Sequence, residues 1–334
     1  MSSLLDPIKI GKLKLKNRIV MPPMATNKAT SNGEMTDAQI KHYTERARGV
    51  GLIVAEHSYV KLNGRLNLNQ LGIYDDKIIP GLSKLVKAVH KHRTPIAIQI
   101  NHAGGKAISS IIGTQPVGPS PVSIFKETPR ELDVDEIDGL IEAFTRAARR
   151  VVEAGFDAVE VHGAHGFLLN QFLSPLTNRR SDKYGISLEN RARFPLRVLE
   201  SVRKEIGVNF PVLYRLGADD FREGGLSLED TRTFAKMLVG AGVDVIDVSG
   251  GIGGSNPSGL SGQGYLFPIA EGIKQVVNVP VVGVGGVTEA EFADKAVREG
   301  RVDLIAVGRA FLIDPEWAVK AVKILKKRQK LFNV

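Results

Sequence analysis

Ala158-Val159-Glu160-Val161-His162-Gly163-Ala164-His165-Gly166 is the segment from which the architecture can be inferred. Residues 158–161 have the short, mostly apolar character of a buried strand and run directly into two histidines set among glycines. In a parallel α/β barrel, catalytic side chains project from the C-terminal ends of the strands, which is where this pair falls. The glycines relax the backbone, so His162 and His165 can bend toward one point instead of pointing apart as in an unbroken strand. Two imidazole donors on one oxygen make an oxyanion clamp. Two other readings stand beside this one: histidines satisfied within a core, or two metal ligands. The second lacks a helical His-Glu-x-x-His arrangement and an evident third ligand, so no metal site is expected.

On either side of this segment the chain alternates short apolar runs with longer amphipathic ones. Strands are expected to begin near Ile19, Leu52, Ile96, Ala158, Val212, Val245, Val281 and Leu304. Helices are expected over 37–48, 76–91, 133–154, 189–206, 228–239, 265–276, 289–298 and 315–327. Eight such units imply an α/β fold, a single (β/α)8 TIM barrel. Alternating basic and apolar residues at 12–16 suggest a hairpin that closes its bottom. A doubly wound sheet is the alternative, but Gly250-Gly251-Ile252-Gly253-Gly254 and Gly283-Val284-Gly285-Gly286 lack the third glycine of the dinucleotide fingerprint. With no linker, low-complexity tract or internal repeat, residues 1–334 are read as one domain.

Composition narrows the functional classes. A hydrophobic content of 43% supplies a sizeable core, and no segment is long and apolar enough to span a bilayer, so no membrane partner is expected. The start, Met1-Ser2-Ser3-Leu4-Leu5-Asp6-Pro7, has neither the basic nor the apolar region of a signal peptide, which predicts a cytoplasmic protein. The absence of cysteine excludes disulfides, thiol catalysis and iron–sulfur clusters on their usual thiolate ligands. The net charge of +9, from 45 basic and 36 acidic residues, comes without a zinc finger, RNA-binding aromatic motif or heptad. Solvated helix faces account for it, and no nucleic-acid partner is expected; a basic surface favours anionic cofactors and acyl-thioester or carboxylate substrates.

Several single residues stand out against their surroundings. Gln99 is an amide in the apolar strand Ile96-Ala97-Ile98-Gln99-Ile100, where burial demands hydrogen-bonding partners, either a ligand edge or a second strand. Arg215, at the end of strand five, needs a counter-charge: an anionic ligand, Asp247 or Asp219. Gly283 to Gly286 end strand seven and Gly308-Arg309 end strand eight, where barrel loops commonly bind phosphate through glycine amides and a helix N-terminus. Pro22-Pro23 stiffens the turn after strand one. The long stretch 104–132 after strand three is expected to wall one side of a substrate cleft.

The run Asn170-Gln171-Phe172-Leu173, with Asn178-Arg179-Arg180 and Glu189-Asn190-Arg191, resembles the signature of the Old Yellow Enzyme family of flavin-dependent ene-reductases, and the likeness covers essentially the whole chain. The resemblance implies bound FMN, held by Pro23, Met24, Ala25, Gln99, Arg215, Gly285, Gly286, Gly308 and Arg309. It implies NADH or NADPH as co-substrate in a ping-pong reduction of the C=C bond of α,β-unsaturated carbonyl compounds. It places His162 and His165 as catalytic residues on the substrate carbonyl, and Phe167, Asn27 and Tyr265 beside the substrate. Pro22-Pro23-Met24 and Thr26-Asn27 are similar to the enoate- and dienoyl-reductase branch. Three positions depart from the family pattern: Ala25, where relatives place Thr or Cys on flavin O4; His57, where they place a small residue; and Phe167, where many carry a proton-donating Tyr. The last departure leaves an NADH oxidase or another flavin dehydrogenase as an alternative, and a flavin-binding subunit without turnover as a reading from a different class. The resemblance also implies a homo-oligomer in which the tail at Leu331 and Phe332 reaches a neighbour's cleft.

Overall fold

The computed structural model describes residues 2–332, with side chains through Leu331. Eight parallel strands close into a barrel in sequential order: β1 (Ile19–Met21), β2 (Leu52–Tyr59), β3 (Ile96–Asn101), β4 (Ala158–Gly163), β5 (Val212–Gly217), β6 (Val245–Ser249), β7 (Val281–Val284) and β8 (Leu304–Ala306). The eight expected start points coincide with these strands because nearly every residue in them is buried, as in sheets covered on both faces.

The main helices are α1 (Asp37–Arg46), α2 (Ile79–His90), α3 (Val134–Ala154), α4 (Leu188–Ile206), α5 (Leu228–Gly240), α6 (Phe267–Lys274), α7 (Ala290–Arg298) and α8 (Trp317–Phe332). Capping boxes explain several boundaries. Thr36 with Gln39 starts α1, Asp133 with Glu136 starts α3, and Ser227 with Asp230 starts α5, each satisfying orphan N–H groups for about 1 kcal/mol. Several boundaries differ from expectation, among them the end of α8, which runs on to Phe332 instead of stopping at Lys327. Residues 76–78 form a 3-10 turn before α2, and α6 begins at Phe267, with Pro268 in its first turn, leaving Tyr265 in the preceding loop.

Inside the barrel, inward positions alternate with outward ones. The lower layer is apolar: Val20, Leu52, Ala97, Ala158, Leu213, Val245, Val282 and Leu304 form one cluster with Ile10 and Leu15. Those last two come from the N-terminal hairpin Ile8–Ile10/Leu13–Leu15, which plugs the bottom of the barrel as the sequence pattern suggested. Strand β2 carries a bulge: Ala55 pairs with Ile98 and Ser58 with Ile100, three steps against two. The tail residue Leu331 is exposed, and the side chain of Phe332 lies outside the described residues.

Candidate active site

The C-terminal ends of the strands open into a cavity of about 960 Å³, at the upper end of small-molecule sites and roomy enough for a cofactor with a second ring against it. Its floor is a polar layer directly above the apolar plug. Gln99 stands in register with Glu160, and Arg215 with Asp247. Gln99 Nε2 donates to Glu160 Oε1 at 2.8 Å, and Arg215 Nη1 donates to Asp247 Oδ2 at 2.9 Å. The ion pair is thus with Asp247, while Asp219 caps its own loop by accepting from the Phe221 N–H. Gln99 bridges two strands, yet both it and Arg215 also line the cavity.

Arg215 Nε is buried without a partner, whereas Glu160 and Asp247 share a side-chain hydrogen bond that needs one proton between them. Burial, with Asp247 beside it, pushes Glu160 well above the usual carboxylate range; burial also raises Asp247, and Arg215 draws it back. Of the two, Asp247 makes the ion pair with Arg215, which opposes its taking the proton. Arg215 thus has a spare buried donor and also lines the cavity.

At the wall, His165 and Gly166 adopt consecutive left-handed conformations, φ +56° and +68°, which fold the chain back after β4. The rings of His162 and His165 lie 5.1 Å apart, edge to face. His162 Nδ1 accepts from the Ala164 N–H at 3.2 Å, which assigns its proton to Nε2, and His165 Nε2 is 2.7 Å from Ser249 Oγ. Burial first, then neighbouring imidazoles and cations, hold both well below the ordinary imidazole range. Both are neutral at physiological pH, the form in which an imidazole acts as a hydrogen-bonding electrophile.

Phe167 packs 4.6 Å from the His162 ring. Behind it, Lys106 Nζ lies 4.7 Å from the Phe167 ring centre and donates to the His165 carbonyl at 2.8 Å. The stretch 104–132 thus buttresses the histidine turn instead of walling the cleft, and none of its residues lines the cavity. Residues 255–265, a Gly- and Ser-rich loop that the sequence analysis did not single out, also line the cavity.

The far end combines crowded glycines with a cationic side chain. Gly286 has φ +63°, and a Cβ there would collide with the Gly262 carbonyl oxygen; a Cβ on Gly308 would sit 3.2 Å from Met24 Sδ. Gly285 and the exposed Arg309 complete this end. Tyr265 belongs here as well: its hydroxyl donates to the Ser255 carbonyl at 2.8 Å and its ring lies 5.9 Å from the Arg309 guanidinium.

Pro23, Met24 and Ala25 line the cavity between the two ends. Asn27 does not: it is exposed, at φ +52°, and accepts from Asn67. Thr26 does not stand in for the missing hydroxyl at Ala25, because its own hydroxyl donates to Glu56 Oε1 at 2.6 Å. The residue that sequence reasoning undervalued is His57. The bulge in β2 sends Glu56 to Thr26, Gln39 and Tyr43, and sends the next side chain, His57, into the cavity.

A donor-rich floor under Gln99 and Arg215, two neutral imidazoles on one wall and a glycine cradle with an arginine at the far end match a flat heteroaromatic edge joined to a phosphate. The unpartnered Arg215 Nε and the crowded Gly286 are the features that fit FMN. These features define a flavin-binding (β/α)8 barrel. The profile of the NADH:flavin oxidoreductase / NADH oxidase family matches residues 3–328, and the chain belongs to that family, the family of Old Yellow Enzyme, whose members bind FMN and use NADH or NADPH. It is 48% identical over 322 residues to an NADH oxidase of Thermoanaerobacter brockii, covering 94% of this chain and 50% of that protein. It is 41% identical to an NADPH dehydrogenase of Clostridium acetobutylicum, covering 94% and 93% of the two chains. A solved 2-naphthoyl-CoA reductase in complex with 2-naphthoyl-CoA superposes with a TM-score of 0.92 at 31% identity, covering 96% of this chain and 52% of that one. The chain therefore spans about half the length of some relatives and nearly all of others. No helix among the described residues is long and apolar enough to cross a membrane.

Proposed function

We propose that this protein is an NAD(P)H-dependent ene-reductase that saturates the activated C=C bond of α,β-unsaturated carbonyl compounds. The observation that carries this reading is the pair of neutral, buried imidazoles, His162 and His165, on one wall above a floor of Gln99 and Arg215. FMN, when held by these residues, would supply hydride transfer in both directions. The chain's own residues do the rest. His162 and His165 hold the substrate oxygen and stabilise the negative charge that collects on it as the β-carbon takes hydride; one such donor is worth on the order of 100- to 1,000-fold in turnover. Arg215, incompletely neutralised by Asp247, stabilises negative charge at the cofactor's edge. Phe167 has no proton to give and the Tyr265 hydroxyl is committed to the Ser255 carbonyl, so water entering the open cavity protonates the α-carbon.

The test is anaerobic: the protein is bleached with NADH or NADPH and then given 2-cyclohexenone. Recovery of the oxidised flavin bands with the enone supports ene reduction. A second reading, an NADH oxidase, draws on the missing hydroxyl at Phe167 and the name of the Thermoanaerobacter relative. Recovery with oxygen alone favours it.

A further inference from the structure

Glu56 is a buried carboxylate that does not line the cavity yet is tied to it twice. It stands next to His57 in the bulge of β2, and it holds Thr26, which follows the cavity-lining Ala25. Its Oε2 accepts from the Thr26 N–H at 3.0 Å, and its Oε1 accepts from the Thr26 hydroxyl at 2.6 Å, from Gln39 Nε2 at 2.9 Å and from the Tyr43 hydroxyl at 3.3 Å. One side chain thereby fixes the turn after β1 to helix α1 and to β2.

The donors settle the state of this carboxyl. Gln39 Oε1 accepts from the Thr36 N–H at 3.2 Å, which turns its Nε2 toward Glu56. The Tyr43 hydroxyl accepts from the Glu56 N–H at 2.8 Å, which leaves its own proton for the carboxyl oxygen. All four partners therefore donate, and a proton on Glu56 would be set against a donor. Burial pushes the carboxyl above the usual carboxylate range, and the bonds from Thr26, Gln39 and Tyr43 draw it back; the main influences on it include no cation. The result is a buried negative charge held by neutral dipoles.

Such a charge is screened little in a protein interior and acts on groups several ångströms away. The cavity lining itself carries Arg215 and Arg309 and no Asp or Glu, so Glu56 opposes the sign of the lining. It also engages the Thr26 hydroxyl, the donor nearest in sequence to the gap at Ala25. Both effects act against negative charge on a cofactor in this cavity. We propose that Glu56 is a positioning residue for the turn at 22–26 and a fixed negative charge that lowers the two-electron potential of FMN bound here. It counters Arg215 and keeps hydride transfer out of the cofactor favourable, whichever acceptor receives it.

The test is the midpoint potential of the FMN holoprotein, equilibrated with a reference dye, beside the FMN affinity of the apoprotein measured by fluorescence quenching. Glu56→Gln removes the charge and keeps the shape, and it shifts the balance toward reduced cofactor by about tenfold, a rise of about 30 mV for a two-electron couple. Glu56→Asp keeps the charge and stays within about twofold, or about 10 mV, of wild type. A latch that is only structural weakens FMN binding in both redox states and leaves the potential unchanged. That result overturns the proposal, as does a fall in potential with Gln or an equal rise with Asp. Gln39→Lys sets a cation against the same oxygen without altering Glu56 and raises the potential likewise. It carries the test where Glu56→Gln fails to fold or to take up FMN, and an unchanged or lower potential in it also overturns the proposal.

Discussion

Replacing Arg215 with methionine separates the floor's electrostatics from its packing. In the native protein the guanidinium and Asp247 are both almost fully buried, 2.9 Å apart, with Glu160 alongside. Removing one member of such a pair leaves a buried carboxylate uncompensated, at a cost of about 3–5 kcal/mol. Asp247 can escape this by taking a proton, since burial already raises its affinity for one and Arg215 is what opposes that. The sign follows. A carboxyl whose folded pKa lies above its unfolded value contributes stability that falls as pH rises through the folded value, by up to about 1.4 kcal/mol per pH unit for one proton. Urea unfolding at saturating FMN is therefore expected to show a larger loss for Arg215→Met at pH 8 than at pH 6. The double variant with Asp247→Asn is expected to recover most of the pH 8 loss. An equal loss at both pH values, with no recovery in the double variant, would refute the reasoning.

Three further outcomes follow from individual residues. Ile186 is β-branched, exposed and held at φ +69°, so Ile186→Gly should raise stability by about 1 kcal/mol in urea melts, the relief of left-handed strain exceeding the added chain entropy. Gly286→Ala places a methyl against the Gly262 carbonyl and distorts the anion cradle, so FMN affinity measured by fluorescence quenching should fall at least about tenfold, as expected for a cost of 1.4 kcal/mol or more. Phe167→Tyr puts a hydroxyl on the histidine wall and should speed enone-driven reoxidation in stopped flow by roughly 100-fold or more, the usual worth of a positioned acid; an unchanged rate would show that protonation does not limit the reaction.

The barrel was legible because its strands are continuous apolar runs and its helices carry caps written in adjacent residues, as with Thr36 and Gln39 or Asp133 and Glu136. Gln99, Arg215, His162 and His165 were legible as polar residues at the ends of such runs, and the glycines of strands seven and eight as backbone that approaches a ligand closely. What stayed hidden depends on register and on contacts distant in sequence. A one-residue bulge decides that His57, not Glu56, enters the cavity, and periodicity does not show it. Asn27 follows the cavity-lining turn by two residues but turns to Asn67, a partner 40 positions away. The wall at 255–265 and the buttress at 104–132 are both irregular, and only the tertiary packing of Lys106 on Phe167 assigns them their different roles.

In the proposed reaction a hydride from a nicotinamide passes through this cavity to the β-carbon of an activated alkene. Turnover of 2-cyclohexenone with NADH or NADPH deuterated at both C4 positions tests it most directly, with the product read by NMR and mass spectrometry. The expected product is cyclohexanone carrying one deuterium, at the β-carbon, and hydrogen from water at the α-carbon. Consumption of the nicotinamide without saturated product, or with deuterium absent from the β-carbon, would contradict it.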